Sequence, residues 1–164
     1  MGDMINVLVL CTGNSARSML GEALVNMLGG GRFKGFSAGS TPRGEPHLMT
    51  VVLLREKGYD VASLRSKSWD EYAGSDAPDM HVIVTVCDNA ANEVCPVWPG
   101  HPVQAHWGLP DPAAIEGEGQ RAAFDRAFEA LKARVEKLVE LPLANMDAAD
   151  RQAAVQRVHD EMGR

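Results

Sequence analysis

The chain has 164 residues, enough for one domain with its own hydrophobic core and too few for two. With 45% hydrophobic and 23% charged residues it has the composition of a globular protein, which excludes disordered and collagen-like chains. A net charge of -6 argues against nucleic acids and anionic membranes as partners, but a pocket of backbone N–H groups and one arginine binds a small anion without a basic surface.

The N-terminal residues and the number of cysteines indicate in which cellular compartment the protein works. Residues 1–11 contain no basic residue, and their apolar run is too short for a signal peptide or a membrane span. Three cysteines, Cys11, Cys87 and Cys95, are an odd number, which indicates reactive thiols or metal ligands rather than structural disulfides. We therefore expect a cytoplasmic protein without a membrane anchor.

Strands and helices alternate along the first half of the chain. Residues 5–10, with the sequence INVLVL, form an aliphatic run typical of a strand buried on both faces of a parallel sheet. Apolar residues at helical spacing predict a helix over residues 17–28, which three glycines end. The same reasoning predicts a second unit, with a strand at 33–38 and a helix at 47–57.

The second half contains a further strand and two more helices. Residues 80–86 are rich in β-branched side chains and predict a buried strand. Residues 88–112 show little periodicity, and we interpret them as a functional segment. Helices are predicted at 119–140 and 147–162. The alternation predicts an α/β fold, a doubly wound parallel sheet with helices on both faces.

Residues 11–18, CTGNSARS, connect the first strand to the first helix, where open α/β sheets bind ligands. At a helix N-terminus such a loop forms an anion-binding nest, and its field favours the thiolate of Cys11. The guanidinium of Arg17 can hold two oxygens of a tetrahedral oxyanion while the thiolate attacks its centre. The alternative is a polar turn with an inert cysteine. The predicted oxyanion-binding residues are Thr12, Gly13, Asn14, Ser15, Ala16, Arg17 and Ser18.

This loop resembles that of the low-molecular-weight protein tyrosine phosphatase family, which reads C-x-G-N-x-x-R-S after its first strand. The resemblance covers about residues 4–140. It implies that Cys11 is the nucleophile, that Arg17 binds the oxyanion and that Asn14 holds the shape of the loop. It also implies one domain with a four-stranded sheet over residues 1–140, followed by a C-terminal helical extension over 141–164.

The family takes the proton for the leaving oxygen from an Asp followed by Pro, which Asp111 and Pro112 match. A turn aspartate is the alternative interpretation of Asp111. Tyrosines that usually follow this pair and wall an aryl slot are replaced by Ala113 and Ala114. The substrate is therefore expected to be a small oxyanion rather than an aryl phosphate.

Cys87 directly follows the predicted strand 80–86, at the sheet edge where the Cys11 loop also lies, and Cys95 follows eight residues later. This arrangement resembles the arsenate reductase branch of the same family. It implies arsenic detoxification by a relay. Cys11 attacks arsenate, Cys87 attacks the Cys11 sulfur and releases arsenite, and Cys95 carries the disulfide to an external reductant. As(V) accepts the two electrons, which a phosphate centre cannot.

The reductant stays open between thioredoxin and glutathione with glutaredoxin, because thioredoxin-coupled members usually have one residue fewer between the last two cysteines. No bound cofactor is expected. Some members hold a potassium ion through Asn, Glu and Asp side chains. Asn14 and Glu22 match two of these, but Ser68 stands near the expected Asp, and no metal is predicted.

Two other functions remain alternatives. The first is a phosphatase of the same fold that happens to carry extra thiols. The second is a non-catalytic regulator that binds an oxyanion or a metal, with a zinc site formed by Cys87, Cys95, His101 and His106. The spacing of these four residues lacks the short C-x2–4-C unit of structural zinc sites.

Overall fold

The computed structural model describes residues 4–74, 76–87, 98 and 102–162. Within these residues four parallel strands form one sheet in the order β2-β1-β3-β4. The strands are β1 (Ile5–Cys11), β2 (Phe33–Gly39), β3 (Val82–Thr85) and β4 (Val103–His106). The prediction of an α/β fold with a four-stranded parallel sheet is confirmed.

Four α-helices occur in the described part of the chain: α1 (Arg17–Leu28), α2 (Leu48–Glu56), α3 (Gly119–Leu138) and α4 (Ala148–Met162). They pack with alternate side chains of the strands in one core cluster. The opposite face is covered by a short 3-10 helix, Trp69–Tyr72, and by Trp98, whose ring meets that of Trp69 edge-on. Alternate residues of β1 point to opposite faces, so both sides of this strand are buried.

The strand β4 was not predicted, because residues 88–112 show little periodicity and were interpreted as a functional segment without a strand. β4 is only four residues long, and its sequence VQAH alternates between buried and less buried positions. So short an alternation is too weak a signal among the surrounding Pro and Gly residues. The predicted helices 17–28 and 147–162 agree with α1 and α4 to within one residue.

On both outer strands of the sheet, backbone N–H and C=O groups form hydrogen bonds with side-chain amides of the helices. On β4, Gln156 accepts a hydrogen bond from the backbone N of His106 at 2.8 Å and donates to its O at 2.9 Å. Gln152 makes the same two bonds to Gln104. On β2, Asn26 of α1 accepts from the N of Gly35 at 2.8 Å and donates to its O at 3.4 Å. The amides thus take the place of a neighbouring strand.

The helix α4 also holds the segment that follows β4. The indole N–H of the buried Trp107 donates to the carbonyl of Val155 at 3.0 Å, and Val155 and Val158 belong to the main core cluster. Two residues further along, the N of Leu109 donates to the carbonyl of Val86, just after β3. Residues 107–111 are therefore fixed to the carboxyl end of the sheet, where the candidate site lies.

Candidate active site

The loop between β1 and α1 is shaped by Asn14, whose side chain is 0% exposed. Its amide N donates to the hydroxyls of Ser18 (2.8 Å) and Ser37 (3.0 Å), and its amide O accepts from the backbone N of Lys67 at 2.9 Å. The backbone of Asn14 is left-handed, with φ 43°, a region in which asparagine is among the best tolerated residues. Every polar group of this side chain is satisfied.

Cys11 ends β1 with its side chain buried at the bottom of the loop. Its Sγ donates a hydrogen bond to the hydroxyl of Ser18 at 3.2 Å. The same hydroxyl accepts from Asn14, so its own hydrogen is available to the sulfur when Cys11 is ionised. Ser18 lies in the first turn of α1, so the Cys11 sulfur is hydrogen-bonded to a residue at the positive end of the helix.

Cys87 lies against the beginning of the same loop. Its buried Sγ accepts a hydrogen bond from the backbone N of Thr12 at 3.3 Å and is 3.5 Å from the Thr12 hydroxyl. The residue next to Cys11 is therefore in direct contact with the second thiol. Both cysteines are free thiols. The third predicted thiol, Cys95, lies outside the described residues.

Arg17 and Asp111 face each other across the mouth of the loop. Arg17 Nη1 donates to the carbonyl of Leu109 at 2.7 Å, and Nη2 lies 3.7 Å from Asp111 Oδ2. The other carboxylate oxygen of Asp111 accepts from the N of Ala113 at 3.0 Å and caps a short 3-10 helix, Pro112–Ala114. Among the described residues Arg17 Nε is buried without a partner, which leaves one donor for a ligand.

These groups surround a cavity of about 310 Å³, lined by Cys11, Thr12, Gly13, Ser15, Ala16, Arg17, Thr41, Arg43, Asp111 and Ala113. No aromatic ring is among these lining residues, and Ala113 stands in the wall as the sequence predicts. Asn14 and Ser18 are buried behind the loop instead of lining the cavity. The cavity holds two guanidinium groups and one carboxylate around a buried thiol, a setting suited to a small oxyanion.

Sequence analysis missed Thr41 and Arg43. They follow β2, which lies beside β1 in the sheet, so the carboxyl ends of the two strands meet at one edge. The turn-rich residues after β2 could have been assigned to the site from this topology.

A buried charge pair lies behind the loop. The hydroxyl of Ser37, which accepts from Asn14, donates to Glu22 at 2.6 Å, and Lys67 Nζ is 3.8 Å from the same carboxylate oxygen. Burial raises the pKa of Glu22 and lowers that of Lys67, because each charge is removed from water. Lys67, 7% exposed, brings a positive charge to the Glu22 carboxylate.

Metal ligation receives no support from the described residues. In that part of the chain no three His, Cys, Asp or Glu side chains are grouped to hold an ion. Of the four residues of the alternative zinc site, Cys95 and His101 lie outside the described residues. His106 Nδ1 is 2.7 Å from the hydroxyl of Thr85.

None of the described helices is long and apolar enough to cross a membrane.

Known proteins are similar to this chain in sequence and in fold. The family model of low molecular weight phosphotyrosine protein phosphatases matches residues 6–152. Arsenate reductase of Bacillus subtilis is 34% identical over 134 residues, which are 80% of this chain and 92% of that protein. The crystal structure of arsenate reductase from Archaeoglobus fulgidus is 32% identical, with a TM-score of 0.65 over 82% of this chain and 99% of that one.

Another structure, of an arsenate reductase in the phosphate binding state, is 25% identical with a TM-score of 0.68 and covers 84% of this chain and 98% of that one. The predicted resemblance to the phosphatase family and to its arsenate reductase branch is confirmed. By its loop, its sheet and its match over residues 6–152, the chain belongs to the low molecular weight phosphotyrosine protein phosphatase family.

Proposed function

We propose that this protein is an arsenate reductase, which converts arsenate to arsenite through Cys11 and a relay of three thiols. The observation that carries the proposal is the contact of Cys87 Sγ with the backbone N of Thr12, at 3.3 Å, because it puts a second thiol beside the nucleophile's loop. Hydrolysis of a phosphate ester uses one nucleophilic thiol and water, and needs no second thiol. The named relatives, which are arsenate reductases, support the same activity.

In the first step the Cys11 thiolate attacks the arsenic atom of arsenate held by the loop and by Arg17. Asp111, 3.7 Å from the Arg17 guanidinium, delivers a proton to the departing oxygen, which leaves as water. A sulfur–arsenic bond replaces an arsenic–oxygen bond, and arsenic remains As(V). The backbone N–H groups of the loop stabilise the charge that builds up on the oxygens.

In the second step the Cys87 thiolate attacks the Cys11 sulfur. A sulfur–sulfur bond forms, the sulfur–arsenic bond breaks, and arsenic keeps its electron pair and leaves as arsenite. Two thiols have then been oxidised and As(V) reduced to As(III). Cys95 next attacks the Cys87 sulfur, Cys11 leaves as a thiolate, and the disulfide moves to Cys87–Cys95.

The hydrogen bonds of the two buried thiols suit this order. Ser18 is positioned to donate a hydrogen bond to the Cys11 sulfur, which stabilises the negative charge on that sulfur when it attacks arsenic and when it departs in the third step. The N–H of Thr12, 3.3 Å from Cys87 Sγ, is placed to stabilise negative charge on that sulfur during the second step. The residue that follows the nucleophile thus assists the second thiol.

A phosphatase activity is the second candidate, because Cys11, Arg17 and Asp111 suffice for the attack on a phosphate ester. The cavity lacks aromatic walls, and Ala113 leaves its side open. Aryl phosphates therefore gain little binding energy, and we expect weak hydrolysis at most.

An external thiol regenerates the enzyme, and we propose a thioredoxin-type protein or glutathione with glutaredoxin for this role. The relay ends on a disulfide of two cysteines, which a dithiol protein reduces by the same exchange chemistry. We place the reaction in the cytoplasm, because thiols that must return to the reduced state require a reducing compartment.

The test is a coupled assay that follows NADPH. We expect arsenate-dependent consumption of NADPH with thioredoxin and its reductase, or with glutathione, glutaredoxin and glutathione reductase, and little hydrolysis of an aryl phosphate. Which of the two systems supports turnover identifies the reductant. Rapid aryl phosphate hydrolysis without arsenate-dependent loss of NADPH would make the protein a phosphatase.

Cysteine variants test the order of the thiols. Cys11→Ser is expected to abolish arsenite production, and Cys87→Ser to stop after the first covalent step. Cys95→Ser should release about one arsenite per chain and accumulate the Cys11–Cys87 disulfide, which peptide mass spectrometry detects. If Cys95→Ser turns over normally with glutathione, the relay ends at Cys87.

A further inference from the structure

Arg43 belongs to a turn that is tied to the oxyanion loop by its backbone. The N of Thr41 donates to the carbonyl of Thr12 at 3.0 Å, and the N of Arg43 donates to the carbonyl of Gly13 at 3.0 Å. Ser66 joins the two segments as well, since its hydroxyl accepts from the N of Gly44 and donates to the carbonyl of Gly13, both at 3.2 Å. The backbone of Arg43 therefore has a fixed position at the rim of the cavity.

The side chain of Arg43 extends over Gly13 toward the cavity. A methyl group added at Gly13 would lie 3.2 Å from Arg43 Nε and 3.4 Å from its Cγ, so the arginine runs in close contact with the loop. Arg43 is one of the residues that line the cavity, together with Cys11 and Arg17.

The two arginines differ in how they are engaged. Arg17 is bonded to the carbonyl of Leu109 and faces Asp111 at 3.7 Å. The Arg43 guanidinium makes no hydrogen bond and no ion pair with any residue of the described chain. An arginine fixed at the backbone, laid along an anion-binding loop and left without an anionic partner is available to bind a ligand's oxygens.

We infer that Arg43 is a second substrate-binding arginine, which contacts the outward oxygens of a bound tetrahedral dianion while Arg17 and the loop amides hold the inward ones. A chain with a net charge of -6 repels a dianion at long range, so the attraction comes from groups at the cavity itself, the loop N–H groups and the two guanidinium groups. The inference rests on the proposed function only for the identity of the substrate, because phosphate and arsenate share their shape and charge.

The experiment measures binding of inorganic phosphate by calorimetry, which needs no turnover, and the KM for arsenate in the coupled assay. Arg43→Met removes the charge and keeps the chain length. We expect the dissociation constant for phosphate and the KM for arsenate to rise about tenfold, as for the loss of one charged hydrogen bond at a partly open site. Arg43→Lys should recover part of the affinity, because it restores the charge without the planar fork.

The matched control is Arg55→Met on α2, which removes one exposed positive charge from outside the set of cavity-lining residues. It should leave the dissociation constant for phosphate within about twofold of the parent value, because its charge is exposed to water and salt and belongs to no residue of the cavity lining. A urea midpoint of unfolding for Arg43→Met equal to that of the parent protein would show that the variant is folded.

Two outcomes would overturn the inference: phosphate binding by Arg43→Met equal to that of the parent, or a rise only in the KM for the reductant, which would assign Arg43 to partner recognition. If the parent protein binds phosphate but does not reduce arsenate, and Arg43→Met weakens the phosphate complex, the inference stands and the proposed function fails.

Discussion

Asn14 combines a left-handed backbone with three side-chain hydrogen bonds, to Ser18, Ser37 and the N of Lys67. Replacing it by Ala leaves these buried groups without partners and keeps the strained backbone. We expect Asn14→Ala to lower the free energy of unfolding in urea by about 3 kcal/mol. Asn14→Gly should cost about 1 kcal/mol less, because glycine adopts a positive φ freely.

Asn145→Ala, at an exposed position of a short 3-10 helix, is the control and should change stability by less than about 0.5 kcal/mol. Equal stabilities of Asn14→Ala and the parent protein would contradict the role of Asn14 as the residue that shapes the loop.

Glu22 makes the stability of the protein depend on pH. Burial raises its pKa in the folded chain above the ordinary value of 4.5, against the opposing effects of Ser37 and Lys67. At a pH between the pKa of Glu22 in the unfolded chain and its raised pKa in the folded chain, the folded chain binds more protons. The contribution of Glu22 to the free energy of unfolding therefore grows as the pH falls. It is lost as the pH rises through the folded pKa.

We therefore expect the free energy of unfolding of the parent protein, relative to that of Glu22→Gln, to increase as the pH falls toward the ordinary pKa of 4.5. Urea unfolding at several pH values measures this difference. Glu129→Gln, an exposed position on α3, is the control and should show no such trend. A difference that shrinks as the pH falls would mean that the pKa of Glu22 is lowered in the folded protein.

At the scale of residues, local patterns predicted the contiguous part of the site, whereas Asp111 was assigned by family resemblance and Cys87 by its position after a strand. Cys11, Arg17 and the loop between them sit within one short segment, and their positions follow from the strand and helix that flank it. Arg43 and Lys67 reach the site only through the pairing of β2 with β1 and through the hydrogen bonds of Asn14. Such contacts depend on tertiary structure, which no local pattern contains.

At the scale of elements, α4 takes the place of a strand along β4. Gln152 and Gln156 are four residues apart on the helix, a rise of about 6 Å, which nearly matches the spacing of about 6.6 Å between Gln104 and His106 on the strand. The amides can therefore bond both strand residues at once. The sequence predicted the helix and its apolar stripe, but not this pairing, which depends on the register between helix and strand.

Substituting both glutamines by Ala should expose the edge of β4. We expect the amide hydrogens of Gln104 and His106 to lose protection against hydrogen exchange, because their partners are gone. Self-association of the variant should also rise, since open strand edges pair with other chains. Sedimentation velocity would detect the association.

The control is Arg157→Ala, on the exposed side of α4, which should leave both the hydrogen exchange at β4 and the monomer fraction unchanged. Unchanged protection at Gln104 and His106 in the double variant would show that the glutamines do not pair with the strand in solution.

At the scale of the whole molecule, we retain as a proposal the division into a domain of residues 1–140 and an extension of residues 141–164. Removing the extension deletes Leu143, Val155 and Val158 from the core and takes the carbonyl acceptor from Trp107. Burial of three such side chains is worth several kcal/mol, and we expect the melting temperature of a chain ended at residue 140 to fall by roughly 10 °C or more.

Differential scanning calorimetry of the shortened chain measures this change, and Met162→Ala, near the end of α4, serves as a mild control. A shortened chain with the parent melting temperature would mean that the extension does not stabilise the domain of residues 1–140. In that case residues 107–111, which carry the candidate acid, would be held without α4.

The amides on the two outer strands restrict how a reductant can approach. Gln152 and Gln156 occupy the flank of β4, and Asn26 occupies that of β2 at Gly35, so at these positions no backbone donor or acceptor is left for an incoming peptide strand. The reductant proposed above would then find Cys87 and the Cys11 loop at the carboxyl ends of the strands and not along these flanks. The side-chain amides that cover the outer strands thus leave the loop end of the sheet as the open approach to the thiols.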